Sequence, residues 1–234
     1  MVLDKKSSVH LPNHVAFIMD GNRRWAKKNS LQIIDGHRKG SEVVKNIVRK
    51  SLTLGIKYLT FFSFSTENWN RSKSEIFKLQ SLLKFYLKSE KNIFINEEIN
   101  FSFIGDIDKF EDKIKQEIID LKKTTEKFNK LHLTLALNYG SRNEILNAFE
   151  SLARKKKRKI IEDDISLNLM TKNLPDPDFV IRTSGEKRLS NFLLWQIAYS
   201  ELYFTKTLWP DFTVQKYMSS LKNYISRKRR FGGN

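Results

Sequence analysis

The sequence predicts an α/β protein: one domain with a central, mostly parallel sheet flanked by helices. Three observations predict it. Short β-branched and aromatic runs alternate with longer stretches of helical spacing along the chain. The breaks between them carry turn or capping residues, with no internal repeat and no low-complexity linker. At 234 residues with 40% hydrophobic side chains, the chain has the size and apolar content for a single sizeable core.

The elements follow in order. Val15–Met19 is an apolar run that reads as a buried strand. Gly40–Leu54 reads as a helix, because Val43, Val44, Ile47 and Val48 recur at helical spacing and Gly55 stops it. Tyr58–Phe64 is β-branched and aromatic, a second strand. Ser72 and Glu75 have capping-box spacing and open a helix to about Lys91. Asn100–Ile104 is a third strand, Asp108–Asn129 a helix, and Leu131–Leu137 alternates as a fourth strand. Ser141 and Glu144 form a second candidate capping box, before a helix ending near Ala153. Asp178–Ile181 and Glu201–Phe204 are short strands, and Val214–Ser226 is a final helix. Residues 1–13 and 231–234 are expected to flank the domain as flexible tails.

Composition narrows the class. No apolar run reaches the roughly 20 residues that a membrane-spanning helix requires, and the charged start (Asp4, Lys5, Lys6) does not resemble a secretory signal. The absence of cysteine excludes disulfides and thiolate metal sites. A cytoplasmic location is the expectation. The net charge of +17 favours polyanionic partners: nucleic acid, an anionic membrane surface or phosphorylated small molecules. Much of the excess is lysine, which a general compositional bias also explains. The unbroken basic run Arg154–Lys159 reads first as a solvated loop. Arginines are more informative, because their planar forks match phosphate.

Three segments place acids, arginines and small residues at strand ends. In the first, a buried strand ends at Asp20 and is followed by Gly21, Asn22, Arg23, Arg24 and Trp25. Ligands of open α/β sheets bind at the carboxyl ends of strands. An Asp there can hold Mg²⁺, and a turn entering a helix offers backbone N–H groups to phosphate. An ordinary Asp-Gly turn is the competing reading. In the second, Ser65, Thr66, Glu67, Asn68, Trp69 and Arg71 lie between a strand and a capped helix. Trp69 and Phe64 suit an apolar ligand, or else Trp69 plugs the core. In the third, Arg182 ends a strand, Gly185 permits a turn, and Arg188, Leu189 and Ser190 follow; two arginines and a hydroxyl suit a diphosphate. There is no G-x-x-x-x-G-K-[ST] loop, no G-x-G-x-x-G fingerprint, no H-E-x-x-H and no D-D-x-x-D.

These segments resemble the cis-prenyltransferase family and are similar to bacterial undecaprenyl diphosphate synthases. The residues that carry the resemblance are HVAFIMDGNRRWAKK, GHRKG, FSFSTENWNR, NYGSRNE, IRTSGEKRLSNFLLWQIAYSELYFTKTLWPDF and RRFGGN, from His14 almost to the end. The resemblance implies a homodimeric enzyme with a hydrophobic tunnel. It would condense isopentenyl diphosphate repeatedly, in cis, onto an allylic diphosphate such as farnesyl diphosphate. The product would be a long polyprenyl diphosphate such as undecaprenyl diphosphate, a precursor of the cell-wall lipid carrier. It implies Mg²⁺ on Asp20 with Glu201 as a second acid. It places the allylic diphosphate on Gly21, Asn22, Arg23 and Arg24, beside Trp25 and His37. Ser65, Thr66, Glu67, Trp69 and Arg71 would close over the substrates, and Arg182, Arg188, Leu189 and Ser190 would hold isopentenyl diphosphate. Asn68 matches a position assigned as proton acceptor, although a neutral amide has no usable basicity.

Three positions depart from the family pattern: Ile33 where an Arg is common, Arg23 where Gly is common, and Lys187 where some members carry a metal-contacting His. The apolar stripe of Ile76, Leu79, Leu82, Leu83, Phe85 and Leu87, with Leu135 and Leu137, would line the tunnel. Product release implies peripheral membrane contact. The rival readings are an RNA-binding protein, a Mg²⁺-dependent phosphatase and a silent subunit of the same family; a nucleic-acid partner is not expected.

Overall fold

The computed structural model describes residues 10–156 and 159–228. Six strands form one sheet: β1 (His14–Ile18), β2 (Tyr58–Ser65), β3 (Ile99–Ile104), β4 (Leu131–Tyr139), β5 (Phe179–Arg182) and β6 (Glu201–Phe204). Their order is β3-β4-β2-β1-β5-β6, and every neighbouring pair is parallel. Among the described residues there are seven helices: α1 (Asn22–Lys28), α2 (Ile33–Leu54), α3 (Lys73–Asn96), α4 (Asp112–Thr125), α5 (Ser141–Arg154) and α6 (Glu162–Ser166) lie between strands, and α7 (Val214–Ile225) follows the last one. Parallel strands need crossovers of this length, and those crossovers cover the sheet.

β1 shows why its sequence is continuously apolar. Val15 and Phe17 enter a core with Val43 and Ile47 of α2 and Tyr217 and Leu221 of α7. Ala16 and Ile18 enter a second core, with Phe192, Leu193 and Ile197. Both faces of the strand are buried, so no polar alternation survives.

Several boundaries differ from expectation. α2 begins at Ile33 rather than Gly40, with Gln32 and Asp35 forming a capping box. Gly36 and Gly40 lower helix propensity, but they let α2 press against Asn22. A Cβ on Gly36 would lie 2.2 Å from the Asn22 carbonyl oxygen, and one on Gly40 2.4 Å from Asn22 Oδ1. Ser141 and Glu144 are not a capping box. Gly140 occupies the cap position, and Ser141 Oγ accepts from the Leu194 N–H at 2.9 Å. Glu144 is buried and accepts from Tyr139 Oη (2.5 Å), Gln196 Nε2 (2.9 Å) and the Met170 N–H (2.9 Å). A buried carboxylate needs such donors, and this one ties α5 to the segment covering the sheet. Of the expected tails, 1–9 and 231–234 lie outside the described residues, as do 229–230 and, within the basic run, 157–158. Asn13 is anchored: its N–H donates to the Asp178 carboxylate at 2.8 Å.

An apolar cavity of about 240 Å³ opens between α2, α3 and the β2–β4 half of the sheet. α3 contributes Leu79, Leu82, Leu83 and Leu87 to it, and the sheet contributes Leu133 and Leu135. Three expected liners, Ile76, Phe85 and Leu137, are not part of its wall. Phe85 is 61% exposed on the far side of α3. Leu137 packs in the core with Phe64 and Phe110.

Candidate active site

The site lies where β1, β2 and β5 end. β1 runs out at Ile18, and Asp20 follows at the carboxyl edge of the sheet. Its backbone is fixed there: the Asp20 N–H donates to Thr183 Oγ1 at 3.0 Å, and Thr183 Oγ1 donates to the Asp20 carbonyl at 2.7 Å. Gly21 then turns the chain at φ 114°, a left-handed value that glycine adopts without penalty. Leu208 Cα would sit 3.0 Å from any Cβ at this position. α1 starts immediately after, so its first N–H groups have no intrahelical acceptor.

Asp20 is the electrostatic centre. Arg182 Nη2 donates to its Oδ2 at 2.8 Å, and Arg24 lies 3.6 Å from Oδ1. Burial pushes the Asp20 pKa up, but hydrogen bonds from Arg182 and Ser184 and the charges of Arg182 and Arg24 outweigh it. The carboxyl is held below its ordinary value and stays ionised. Arg182 is buried, and its Nη1 donates to Ser190 Oγ (2.7 Å) and to the Arg188 carbonyl.

A pocket of about 350 Å³ opens beside Asp20, lined by Met19, Gly21, Asn22, Arg23, Arg24, Lys27, His37 and Arg71. Its arginines are held by acids at the rim. Glu75 takes Arg71 at 3.1 Å and Arg23 at 3.8 Å; Glu186 takes Arg24 at 3.5 Å and Arg188 at 2.5 Å. Burial lowers the His37 pKa from 6.5 to about 4, and the charges of Arg71 and Arg23 add to the effect, so His37 is neutral near pH 7. Three buried polar atoms of this region have no protein partner: Asn22 Oδ1, His37 Nε2 and Arg182 Nε. Such atoms are costly in a folded protein, and here they cluster where an anionic ligand fits. Asn22 and His37 also line the apolar cavity, so the two spaces adjoin.

Other expected residues carry bonds of their own. Asn68 Oδ1 accepts the Ser65 N–H at 3.1 Å and caps a 3-10 turn over Thr66–Asn70. Asn68 and Arg71 also line the cavity. Trp69 packs edge-on against Phe64 and Phe110, and its Nε1 donates to Asn138 Oδ1 at 2.8 Å. Trp69 therefore anchors the turn in the core. Glu67 ties the same turn to the 191 segment, its Oε1 accepting from Asn191 Nδ2 at 3.2 Å, and Thr66 lies beside Gly140. Trp25 Nε1 donates to Asp211 at 2.8 Å, and Leu189 packs on the core.

Glu201 is a correction. β6 pairs with β5 so that Glu201 is level with Phe179, three residues before Arg182. Asp20 lies beyond the opposite end of the strands, roughly 15 Å along the strand direction. Asp20 and Glu201 of one chain cannot share one ion. Glu201 instead accepts from Arg227 Nη1 at 2.6 Å.

Thr183 and Ser184 lie inside the IRTSGEKR stretch, where nothing local marks them as site residues. Ser184 stands at φ 79° and accepts from Arg24 Nη2. Strained backbone of this kind concentrates at functional sites, but φ is not legible in a Thr-Ser-Gly string. Glu75 and Glu186 were also missed, since their value depends on arginines distant in sequence.

Asp20 is the one carboxylate lining the pocket, and no cluster of three or more His, Cys, Asp or Glu side chains suited to a metal occurs among the described residues. An all-protein metal cage does not fit. A Mg²⁺ ion held by one carboxylate, water and substrate phosphate oxygens does fit.

An arginine-lined anion pocket that adjoins a buried apolar channel, at the carboxyl ends of a parallel sheet, defines the class as an enzyme for apolar diphosphates. The comparisons agree. Residues 18–232 match the family described as "Putative undecaprenyl diphosphate synthase". The isoprenyl transferase of Aquifex pyrophilus is 46% identical over 225 residues, covering 96% of this chain and 97% of that one. The isoprenyl transferase of Thermotoga maritima is 46% identical over 229 residues, covering 96% and 98%. Among solved structures, lavandulyl diphosphate synthase from Lavandula x intermedia, in complex with dimethylallyl diphosphate, is similar at 37% identity and a TM-score of 0.92, covering 95% and 99%. A probable undecaprenyl diphosphate synthase from Campylobacter jejuni is similar at 34% identity and a TM-score of 0.81, covering 96% and 99%. The chain belongs to the undecaprenyl diphosphate synthase family and is a prenyl-transferring enzyme of the cis-prenyltransferase type.

Proposed function

We propose that this enzyme condenses isopentenyl diphosphate repeatedly, in cis, onto an allylic diphosphate, farnesyl diphosphate being the starter, to give a long polyprenyl diphosphate of the undecaprenyl type. The observation that supports this reading best is the continuity between the Asp20 pocket and the apolar cavity. One space takes a diphosphate and the other a hydrocarbon chain.

The residues divide the work. Asn22, Arg23, Arg24 and His37 hold the allylic diphosphate, its prenyl tail entering the cavity past Asn68 and Arg71. Arg182 and Ser190, with Arg188 at the rim, hold isopentenyl diphosphate. When substrates arrive, their phosphates replace Glu75 and Glu186 as arginine partners, so the cations are positioned beforehand. Mg²⁺, bound through Asp20 and phosphate oxygens, would supply charge neutralisation for the leaving diphosphate. The allylic C–O bond breaks and its electron pair leaves with the diphosphate. The isopentenyl double bond attacks the freed carbon, and loss of a proton restores an alkene. Holding both partners in line contributes on the order of 7–11 kcal/mol.

Each added unit moves further carbons out of water at about 0.8 kcal/mol per CH₂, so elongation runs until the cavity is full. The long-product reading is favoured over a single condensation because apolar wall lines both sides of the cavity from Phe64 to Ile99. A homodimer is part of the proposal, supported by exposed apolar side chains on and beside α5 and α6 (Leu146, Phe149, Ile161, Leu167 and Met170). The location proposed is the cytoplasm, with peripheral membrane contact for release of the product. No helix among the described residues is long and apolar enough to cross a membrane. The test is incubation with farnesyl diphosphate, labelled isopentenyl diphosphate and Mg²⁺, with chain length read from the extracted lipid. A ladder ending in a long product is expected; label confined to one condensation, or free phosphate without lipid, would overturn the reading.

A further inference from the structure

We infer that the outer face of α3 is a docking surface for an anionic lipid bilayer. The helix has two opposed faces. Leu79, Leu82, Leu83 and Leu87 point into the cavity. On the other side, Phe77 and Phe85 are each 61% exposed, which for two large aromatics on one helix requires explanation. At 3.6 residues per turn, both fall within an arc of roughly 140° that also holds Lys73, Lys78, Lys84, Lys88 and Lys91. The rest of that arc is Ser, Asn and the half-buried Ile95.

The arc contains no carboxylate. α3 has two acids, and both are turned inward and neutralised. Glu75 pairs with Arg71 and Arg23; Glu90 pairs with Lys45 at 2.7 Å. Among the described residues, Lys88 is the one of the five lysines with an acidic partner, Glu117 of α4 at 3.0 Å. Exposed aromatics set among lysines, on a helix whose acids are hidden, match the pattern of helices lying in the interface of an anionic membrane. The aromatic rings reach the acyl boundary while the lysines contact lipid phosphates. Nucleic acid would engage the lysines but would leave two isolated phenylalanines on a curved helix surface without a base-stacking groove.

The location gives the surface a use, and here the inference rests on the proposed lipid product. α3 is both the wall of the product cavity and the docking face. A bound bilayer would lie about one helix diameter, roughly 10–12 Å, from the growing chain.

The test is cosedimentation of the full chain with vesicles of phosphatidylcholine alone or mixed with phosphatidylglycerol. Binding to the anionic vesicles only is expected. Phe77→Ser/Phe85→Ser should weaken that partition about tenfold or more, and Lys78→Gln/Lys84→Gln should weaken it and flatten its salt dependence. Lys216→Gln/Lys222→Gln on α7 should change it less than about twofold. Condensation in detergent should be unchanged in all three variants, and circular dichroism should show them folded. Absent binding by the wild type, equal losses from the α7 pair, a change of oligomeric mass in the phenylalanine variant, or tighter binding to an RNA oligomer than to vesicles would each overturn the inference. Vesicle binding by a protein that makes no lipid would defeat the proposed reaction and leave the docking surface standing.

Discussion

The two ends of the sheet use the same residue types to opposite effect. At the amino end, Asp178 accepts from the backbone N–H of Asn13 and His14 at 2.8 and 3.1 Å. His14 bonds the Pro175 carbonyl at 2.7 Å and Thr60 Oγ1 at 2.8 Å, and Glu201 is closed by Arg227. At the carboxyl end, Asn22, His37 and Arg182 each leave a buried polar atom unpartnered, and Ser184 and Gly21 hold left-handed backbone. The amino end is a finished structure, whereas the carboxyl end retains unused capacity that a diphosphate can fill.

The largest break in that comparison is expected from Asp20→Asn. Arg182 keeps its Ser190 and Arg188 partners, so the fold should survive. Loss of the ionised carboxylate should cut product formation by about 10³-fold or more. Steady-state condensation assays across a Mg²⁺ titration would check it. Near-normal rates at saturating Mg²⁺ would remove Asp20 from the proposed chemistry.

Acid sensitivity should separate the two ends next. His14 and His37 both titrate near 4 in the fold, chiefly through burial, against 6.5 when unfolded. Between those values the unfolded chain binds more protons than the folded one. Stability is therefore complete above pH 6.5 and is lost as pH falls towards 4, by on the order of 3 kcal/mol for each histidine. Adding an allylic diphosphate should shrink the His37 share, because the anion favours the charged ring, and leave the His14 share intact. Urea denaturation from pH 8 to pH 4, with and without ligand, would measure both. A ligand-independent pH profile would contradict the assignment of His37 to the pocket.

The sequence made much of this legible, and the reasons are physical. Strand and helix order could be read because buried parallel strands and amphipathic helices leave periodic marks, as in Val15–Met19 and the α3 stripe. Asp20 and the arginines could be read because a charged turn after an apolar run is anomalous. Glu201 could not be placed, because strand register decides which end of a sheet a residue occupies and register is not written locally. Ser141 and Glu144 misled for a related reason: a capping-box spacing was put to use in a buried network by partners about fifty residues away. Phe85 fitted the stripe by spacing alone, but the angle around the helix turns it outward.

The two ends differ again under truncation. Asp178→Ala should leave two backbone N–H groups without their acceptor and cost about 2 kcal/mol of stability, with condensation per folded molecule unchanged. The smallest effect should come from the channel that links the ends. Leu135 is level with Phe61 and Phe103, midway along the wall, whereas Ile99 pairs with Leu131 at the amino end of the sheet, far from Asp20. Ile99 lines the cavity there, and it is the residue proposed as its floor. Ile99→Ala should therefore lengthen the product by about one isoprene unit, since the space vacated admits further carbons at about 0.8 kcal/mol each. Leu135→Ala widens the wall and should lengthen the product less, and Leu137→Ala, in the core outside the cavity, should lower stability without altering length. Chain-length distributions of the three variants, extracted after equal turnover, decide the matter. Lengthening by Leu137→Ala, or none by Ile99→Ala, would move the floor away from the amino end of the sheet.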